Sequence, residues 1–148
     1  MRVLLQRVSR ATVAVDGDVM SSIGMGYVLL VGVGRGDDAS QVDRLADKIV
    51  GLRIFRDADG KTNLSIADVN GEALVVPQFT LYADTRKGRR PSFVYAAEPT
   101  EAEDLVEAFA EALEARGLKV GRGVFGAEME VELVNDGPFT MWLDAETS

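Results

Sequence analysis

Only two stretches of this chain repeat apolar residues at a helical period; its other apolar residues fall in short β-forming runs. In the first stretch, Val42, Leu45, Ala46, Ile49 and Val50 form one continuous stripe, with Ser40 placed as N-cap. The second opens at Thr100, where Glu103 completes a capping box. Its stripe is Ala102, Leu105, Val106, Phe109, Ala110 and Leu113, and Gly117 ends it. A helix with one apolar stripe buries one face, so two such helices cover one face of one sheet. The remaining strands need a second sheet behind the first. The expected fold is a mixed α/β, three-layer single domain spanning residues 1–148.

The strands read as follows. Val3–Val8 is a buried run; Ala11, Val13 and Val15 alternate, and Asp16-Gly17 is a hairpin signal into another strand. Tyr27–Val33 has the continuous apolar character of a strand covered on both faces. Arg53–Arg56 and Lys61–Leu64 flank a turn at Asp57-Ala-Asp-Gly60, and Asn70-Gly71 turns into a strand over Ala73–Leu81. Glu128–Val134 and Phe139–Leu143 are the last two strands.

Composition restricts the chemistry. The 148 residues include no His and no Cys. Without Cys there is no disulfide framework, thiol nucleophile or Cys-type zinc site; without His there is no Ser-His-Asp triad and no common transition-metal ligand. Catalysis must rest on hydroxyls, carboxylates, Lys, main-chain dipoles or a group brought by the substrate, and no metal or cofactor is expected. The net charge of −8 gives no general attraction for nucleic acid or anionic membrane. Met1–Val8 lacks a secretory signal's apolar core, and runs such as Tyr27–Val31 fall short of the roughly 20 residues of a membrane helix. A cytoplasmic protein with no membrane partner is expected.

Several motifs compete for attention. Gly121-Arg-Gly-Val-Phe-Gly126 has dinucleotide-fingerprint spacing but follows a helix and leads into a strand, the reverse of what phosphate binding requires. Gly32-Val-Gly-Arg-Gly36 sits between strand and helix, but Asp37 and Asp38 follow it and would repel phosphate. Asp57–Gly60 lacks the later ligands of a calcium loop and reads as a turn. Arg86-Lys87-Gly88-Arg89-Arg90 is either a solvated loop or a contact for an RNA backbone, since screening confines charge effects to about 10 Å. Pro77-Gln78-Phe79-Thr80 reads as a strand end with a packed Phe. Asn135-Asp-Gly-Pro-Phe-Thr140 reads as a Gly-Pro turn between the last two strands.

Taken together with Met1–Val8, Arg53–Arg56 and Phe125–Met129, these last two segments resemble the D-aminoacyl-tRNA deacylases over essentially the whole chain. The resemblance implies a homodimer of barrel-like sheet/sheet/helix protomers with cross-subunit active sites, two helices lying on one face. It implies hydrolysis of the ester joining a D-amino acid to the 3′ adenosine of tRNA, with the terminal ribose 2′-OH assisting. It assigns catalysis to Gln78, Phe79 and Thr80, with main-chain N–H groups of Phe79 and Thr80 holding the oxyanion. It also assigns a chirality gate to a cis Gly137-Pro138 pair fixed by Arg7, beside Pro77, and tRNA contacts to Arg86, Lys87, Arg89 and Arg90. Two positions depart from the family pattern. Pro77 stands where Ser is usual, supplying neither hydroxyl nor N–H, and Phe139 stands where a smaller aliphatic residue is common. A paralogue that removes L-alanine from mischarged tRNA shares that proline. The alternatives are therefore an editing deacylase for L-Ala or Gly, or a non-catalytic tRNA-binding dimer.

Overall fold

The computed structural model describes residues 1–147. In chain order its elements are β1 (Arg2–Val15), β2 (Asp18–Ile23), β3 (Gly26–Gly32), α1 (Ala39–Gly51), β4 (Phe55–Arg56), β5 (Thr62–Leu64) and β6 (Glu72–Pro77). A 3₁₀ turn (Phe79–Tyr82), α2 (Pro99–Ala115), β7 (Lys119–Arg122) and β8 (Glu130–Asp144) complete it.

The two early strands predicted by the sequence are one bent strand. The first half of β1 pairs antiparallel with β3, from Arg2↔Gly32 to Val8↔Gly26, and the second half pairs with β2, from Ala11↔Ile23 to Val15↔Asp18. Between the halves lie exposed Ser9 and Arg10. β8 runs antiparallel along the other edge of both halves. β6 and β7 extend the β3 side by parallel pairing, giving six strands in one sheet. The β2 end folds back over the β6–β7 end, so closely that a Cβ at Gly121 would lie 2.3 Å from Ser21 Oγ. The result is a nearly closed barrel whose two stacked layers share β1 and β8.

Strand periodicity explains the two cores. Along β3 and β6, Tyr27, Leu29, Val31, Ala73 and Val75 face the helices; Val28, Leu74 and Val76 face Val8, Ala11, Val13 and Ile23 of the opposing layer. Val42, Leu45, Ala46 and Ile49 of α1 complete the helical layer, with Ala102, Val106, Phe109, Ala110 and Leu113 of α2. The sheet/sheet/helix order is therefore as expected.

Four local expectations are corrected. The N-cap of α1 is Asp38 rather than Ser40: its carboxylate accepts from the Ser40 N–H at 2.8 Å, and Gln41 closes a capping box. In α2 the capping residue is Glu98, with no side-chain cap bond, because Pro99 occupies the first turn with its φ already helical. The strand predicted to Leu81 ends at Pro77. Asn135–Thr140 is not a turn between two strands: β8 is continuous, and four of its residues (136–139) bulge opposite Arg7.

Candidate active site

The site begins where β6 stops. The Gln78 N–H donates to Val31 O at 2.7 Å, holding the end of β6 against β3. The chain then winds into the 3₁₀ turn, in which Leu81 N–H donates to Gln78 O and Ala83 N–H to Thr80 O. The first N–H groups of a helical turn have no intrahelical acceptor, and here those are Phe79 and Thr80. Both residues are exposed. The Gln78 side-chain amide donates to Thr80 Oγ1.

The turn can sit here because the end of β3 is glycine. A Cβ at Gly32 would come within 2.9 Å of Gln78 O, and one at Gly34 within 2.6 Å of the Tyr82 ring. These glycines of the Gly32–Gly36 run clear space for the turn. Behind it, Arg2 donates to Leu81 O at 3.1 Å and lies 4.3 Å from the centre of the Tyr82 ring. The Tyr82 hydroxyl donates to Asp37 at 3.3 Å, and Asp37 also accepts from Gly34 N–H and the Met1 ammonium. Burial, helped by the Asp37 charge, pushes the Tyr82 hydroxyl pKa above its usual value. Arg2, Tyr82 and Asp37 carry no motif that would have revealed this support.

In front of the turn lies a largely apolar cleft of about 580 Å³, whose walls include Val31, Pro77, Phe79, Phe93, Phe125 and Met129. The Phe79 and Phe93 rings meet edge-on at 4.9 Å. Pro77, Gln78 and Phe79 thus line one cleft, with Thr80 next in the turn.

Gly137 and Pro138 do not line it in the same chain. They sit in the β8 bulge, joined by a cis peptide, with Asp136, Gly137 and Pro138 exposed. Arg7 lies beneath them at 3% exposure, the one buried charged side chain among the described residues. Its Nε donates to Asp136 O at 3.2 Å, its Nη1 donates to Ile54 O, and its guanidinium lies 5.0 Å from the Phe139 ring centre. The Asn135 amide donates to the carbonyls of Arg7 and Phe139, clamping the neck of the bulge. A Cβ at Gly137 (φ 129°) would lie 2.9 Å from Arg7 Nη2.

The basic loop is a third group. Paired main-chain bonds between Asp84 and Ser92 close it. Arg86 is engaged within the loop: it pairs with Asp84 at 2.7 Å and donates to the Tyr95 hydroxyl at 3.1 Å. The bonds from Arg86 lower the Asp84 carboxyl pKa to about 2. Lys87, Arg89 and Arg90 are exposed. Among the described residues no group of three or more carboxylates is arranged to hold a metal ion, and no helix is long and apolar enough to cross a membrane.

Fold and site define a class: a three-layer, barrel-like α/β protein with main-chain donors, an amide and a hydroxyl grouped at the turn beside its cleft, and no imidazole or thiol. Within that class, residues 4–144 match the D-Tyr-tRNA(Tyr) deacylase family, and the chain belongs to it. It is 63% identical over 145 residues to a D-aminoacyl-tRNA deacylase of Thermomicrobium roseum, covering 98% of this chain and 94% of the relative. A D-aminoacyl-tRNA deacylase of Chloroflexus aurantiacus is 58% identical, over 98% of this chain and 91% of that one. A solved structure described as a c-Myc DNA unwinding element binding protein superposes with a TM-score of 0.91 at 38% identity, covering 97% of this chain and 98% of that one. One described as a probable eukaryotic D-amino acid tRNA deacylase shares the fold, with a TM-score of 0.80 at 18% identity over 96% of this chain and 97% of that one.

Proposed function

We propose that this protein hydrolyses the ester of D-aminoacyl-tRNA, and of glycyl-tRNA, releasing the amino acid and free tRNA. The observation that carries the reading is the free pair of N–H groups at Phe79 and Thr80, opening the turn beside an apolar cleft. The terminal adenosine enters the cleft against Phe79, and the ester carbonyl lies over the turn. Water adds to the carbonyl carbon, giving up its proton with help from the substrate's 2′-OH. The oxyanion forms against the two N–H groups; collapse breaks the bond to the ribose 3′-oxygen, which takes up a proton. Loss of one such donor commonly costs about 10²–10³ in rate. An aminoacyl ester is already activated, so a chain without His can perform this step. The contact of Thr80 Oγ1 is with an amide, which is no base, and this favours a positioning role over a nucleophilic one.

Chirality follows from the β8 bulge acting across a homodimer. Gly137 and Pro138 are exposed and lie outside their own chain's cleft, so a partner subunit's bulge completes each site. β8 pairs with β1 alone among the described residues, leaving a long edge strand with exposed Val134 and Trp142 for the partner to cover. Carbonyls of the bulge aimed at the α-carbon exclude an L side chain; glycine has none and is not excluded. The basic loop supplies Lys87, Arg89 and Arg90, with Arg86, to the acceptor end of the tRNA.

Pro77 favours a second reading, editing of L-alanyl- or glycyl-tRNA, because it removes an N–H that Ser would offer. The DNA-binding description of the 38%-identical structure carries less weight for a chain of net charge −8. Side-by-side incubation with D-Tyr-, L-Ala- and Gly-tRNA separates these readings. Loss of the D-Tyr and Gly esters with the L-Ala ester intact supports the proposal. Loss of L-Ala and Gly esters alone supports the editing reading, and binding without turnover makes the protein a non-catalytic module.

A further inference from the structure

A second cleft, of about 540 Å³, lies on the other side of the 3₁₀ turn and includes Arg2, Arg35, Tyr82, Arg86 and Tyr95. Among the described residues, Arg35 is the one that lines both clefts. We propose that this second cleft seats the nucleotide preceding the terminal adenosine, with Tyr95 stacked on its base and Arg35 on the phosphate joining the two. The inference rests on the reading that aminoacyl-adenosine occupies the first cleft.

Three observations support it. First, the segment carrying Tyr95 is fixed beside Arg35: the Arg35 N–H donates to Tyr95 O and the Ala97 N–H to Val33 O, each at 3.0 Å. Second, Tyr95 is 51% exposed, yet its ring is held in place. Arg86 donates to its hydroxyl at 3.1 Å and lies 5.9 Å from the ring centre, while Asp84 holds Arg86 through two bonds of 2.8 and 2.7 Å. An exposed aromatic ring braced from one side is a ready platform for a nucleobase on the other. Third, Arg35 is available. Among the described residues its one ion-pair partner is Glu98 at 3.5 Å, both side chains being well exposed, and its Nε donates to Ala96 O at 3.3 Å, which leaves the outer nitrogens with a pair that yields readily to a phosphate. Of the three acids lining the cleft, Asp84 is held by Arg86, and Asp37 by the Met1 ammonium and Gly34 N–H; the third, Glu146, is exposed to solvent, which screens its charge.

Moving from the terminal adenosine toward the 5′ side of a single-stranded 3′ end, a phosphate comes first and a base next, and a cation with an aromatic platform in that order matches them. A free anion would need the cation but not the ring; an apolar peptide would need the ring but not the cation.

The test compares D-tyrosyl-adenosine with D-tyrosyl-cytidylyl-adenosine, each esterified at the 3′ end. For the wild-type protein, adding the cytidylyl unit lowers KM about tenfold, the scale of one stacked base. In Tyr95→Ala this gain disappears while kcat and KM for D-tyrosyl-adenosine stay as they were; Tyr95→Phe retains the gain. Arg35→Gln flattens the log–log salt dependence of dinucleotide binding by about 0.7. Equal KM for the two substrates in the wild type, or equal losses on both in Tyr95→Ala, overturns the proposal. Calorimetry with unacylated cytidylyl-adenosine and adenosine reads the subsite without turnover. Equal affinities overturn the proposal even in an active enzyme. A dinucleotide preference that Tyr95→Ala abolishes supports it even if hydrolysis fails, and the failure then falls on the deacylase reading alone.

Discussion

Replacing Arg7 by methionine removes the support of the β8 bulge while nearly preserving side-chain length. The guanidinium is buried and bridges two carbonyls from distant segments, Ile54 O and Asp136 O, under the Phe139 ring. Its ion pair with Asp136 adds little, because that carboxylate is 54% exposed and solvent screens it. The larger loss is at Ile54 O, whose buried bond methionine leaves without its donor at a cost of about 1–3 kcal/mol. Losing the cation over the Phe139 ring adds roughly 0.5–2 kcal/mol. A total of about 1.5–5 kcal/mol corresponds to a Tm drop of roughly 3–20 °C for a chain of this size. Thermal unfolding followed by circular dichroism measures it, beside deacylation of D-Tyr-tRNA and L-Tyr-tRNA. The proposed gate predicts a lower D rate and a smaller D/L ratio, since a loosened bulge no longer holds its carbonyls in place. Arg7→Lys falls between, because one ammonium cannot span both carbonyls as the guanidinium fork does. A Tm within 2 °C of wild type (a change of less than about 1 kcal/mol) with an unchanged D/L ratio would refute this reasoning.

Three further predictions follow from the same geometry. Gly34→Ala drives a methyl into the Tyr82 ring and displaces the turn, costing about 1–3 kcal/mol and lowering kcat more than it raises KM; unaltered steady-state kinetics would contradict the packing argument. Thr80→Ala retains most of kcat, whereas loss of all activity would make the hydroxyl a nucleophile. Asp38, Asp68, Glu72 and Glu114 have pKa values held below the usual carboxylate range, chiefly by hydrogen bonds from Ser40, Ser65, Lys119 and Arg122 respectively. Their stabilisation is complete above the unfolded values and is lost as pH falls through the folded ones, so Tm stays flat near neutrality and drops below about pH 4. Burial raises the pKa of Tyr27 and Tyr82, whose contribution is whole below about pH 10 and lost above it. A Tm step between pH 6 and 7, where only a histidine would titrate unperturbed, would contradict this assignment.

Much of the fold was legible because local pattern and tertiary packing agree. Tyr27–Val33 reads as a strand covered on both faces, and each of its faces indeed meets a different core. Disagreements arose where two local signals competed or a distant strand decided. Ser40 and Asp38 are both good caps; Asp38 wins because Gln41 stands three residues after it and completes the box. The Asn-Asp-Gly-Pro run is a strong turn signal, but β1 pairs with β8 on both sides of it, so the strand continues and the signal survives as a bulge. The apolar run Ala73–Leu81 hides its break after Pro77, where the Gln78 N–H makes the last bond to β3 and the chain winds into the 3₁₀ turn. The proposed catalytic motif was legible by resemblance alone. The residues that seat it, Gly32, Gly34, Tyr82, Asp37 and Arg2, are distant in sequence and meet only in the folded chain.

The most direct measurement uses D-Tyr-tRNA ending in 2′-deoxyadenosine, with the ester on the 3′-oxygen. If main-chain donors and a substrate hydroxyl replace the absent side-chain base, single-turnover cleavage of this ester falls by about 10²-fold or more, the scale of lost general-base assistance. An unchanged rate on the deoxy substrate, together with a carboxylate variant that abolishes turnover, would place the base on the protein and contradict the account.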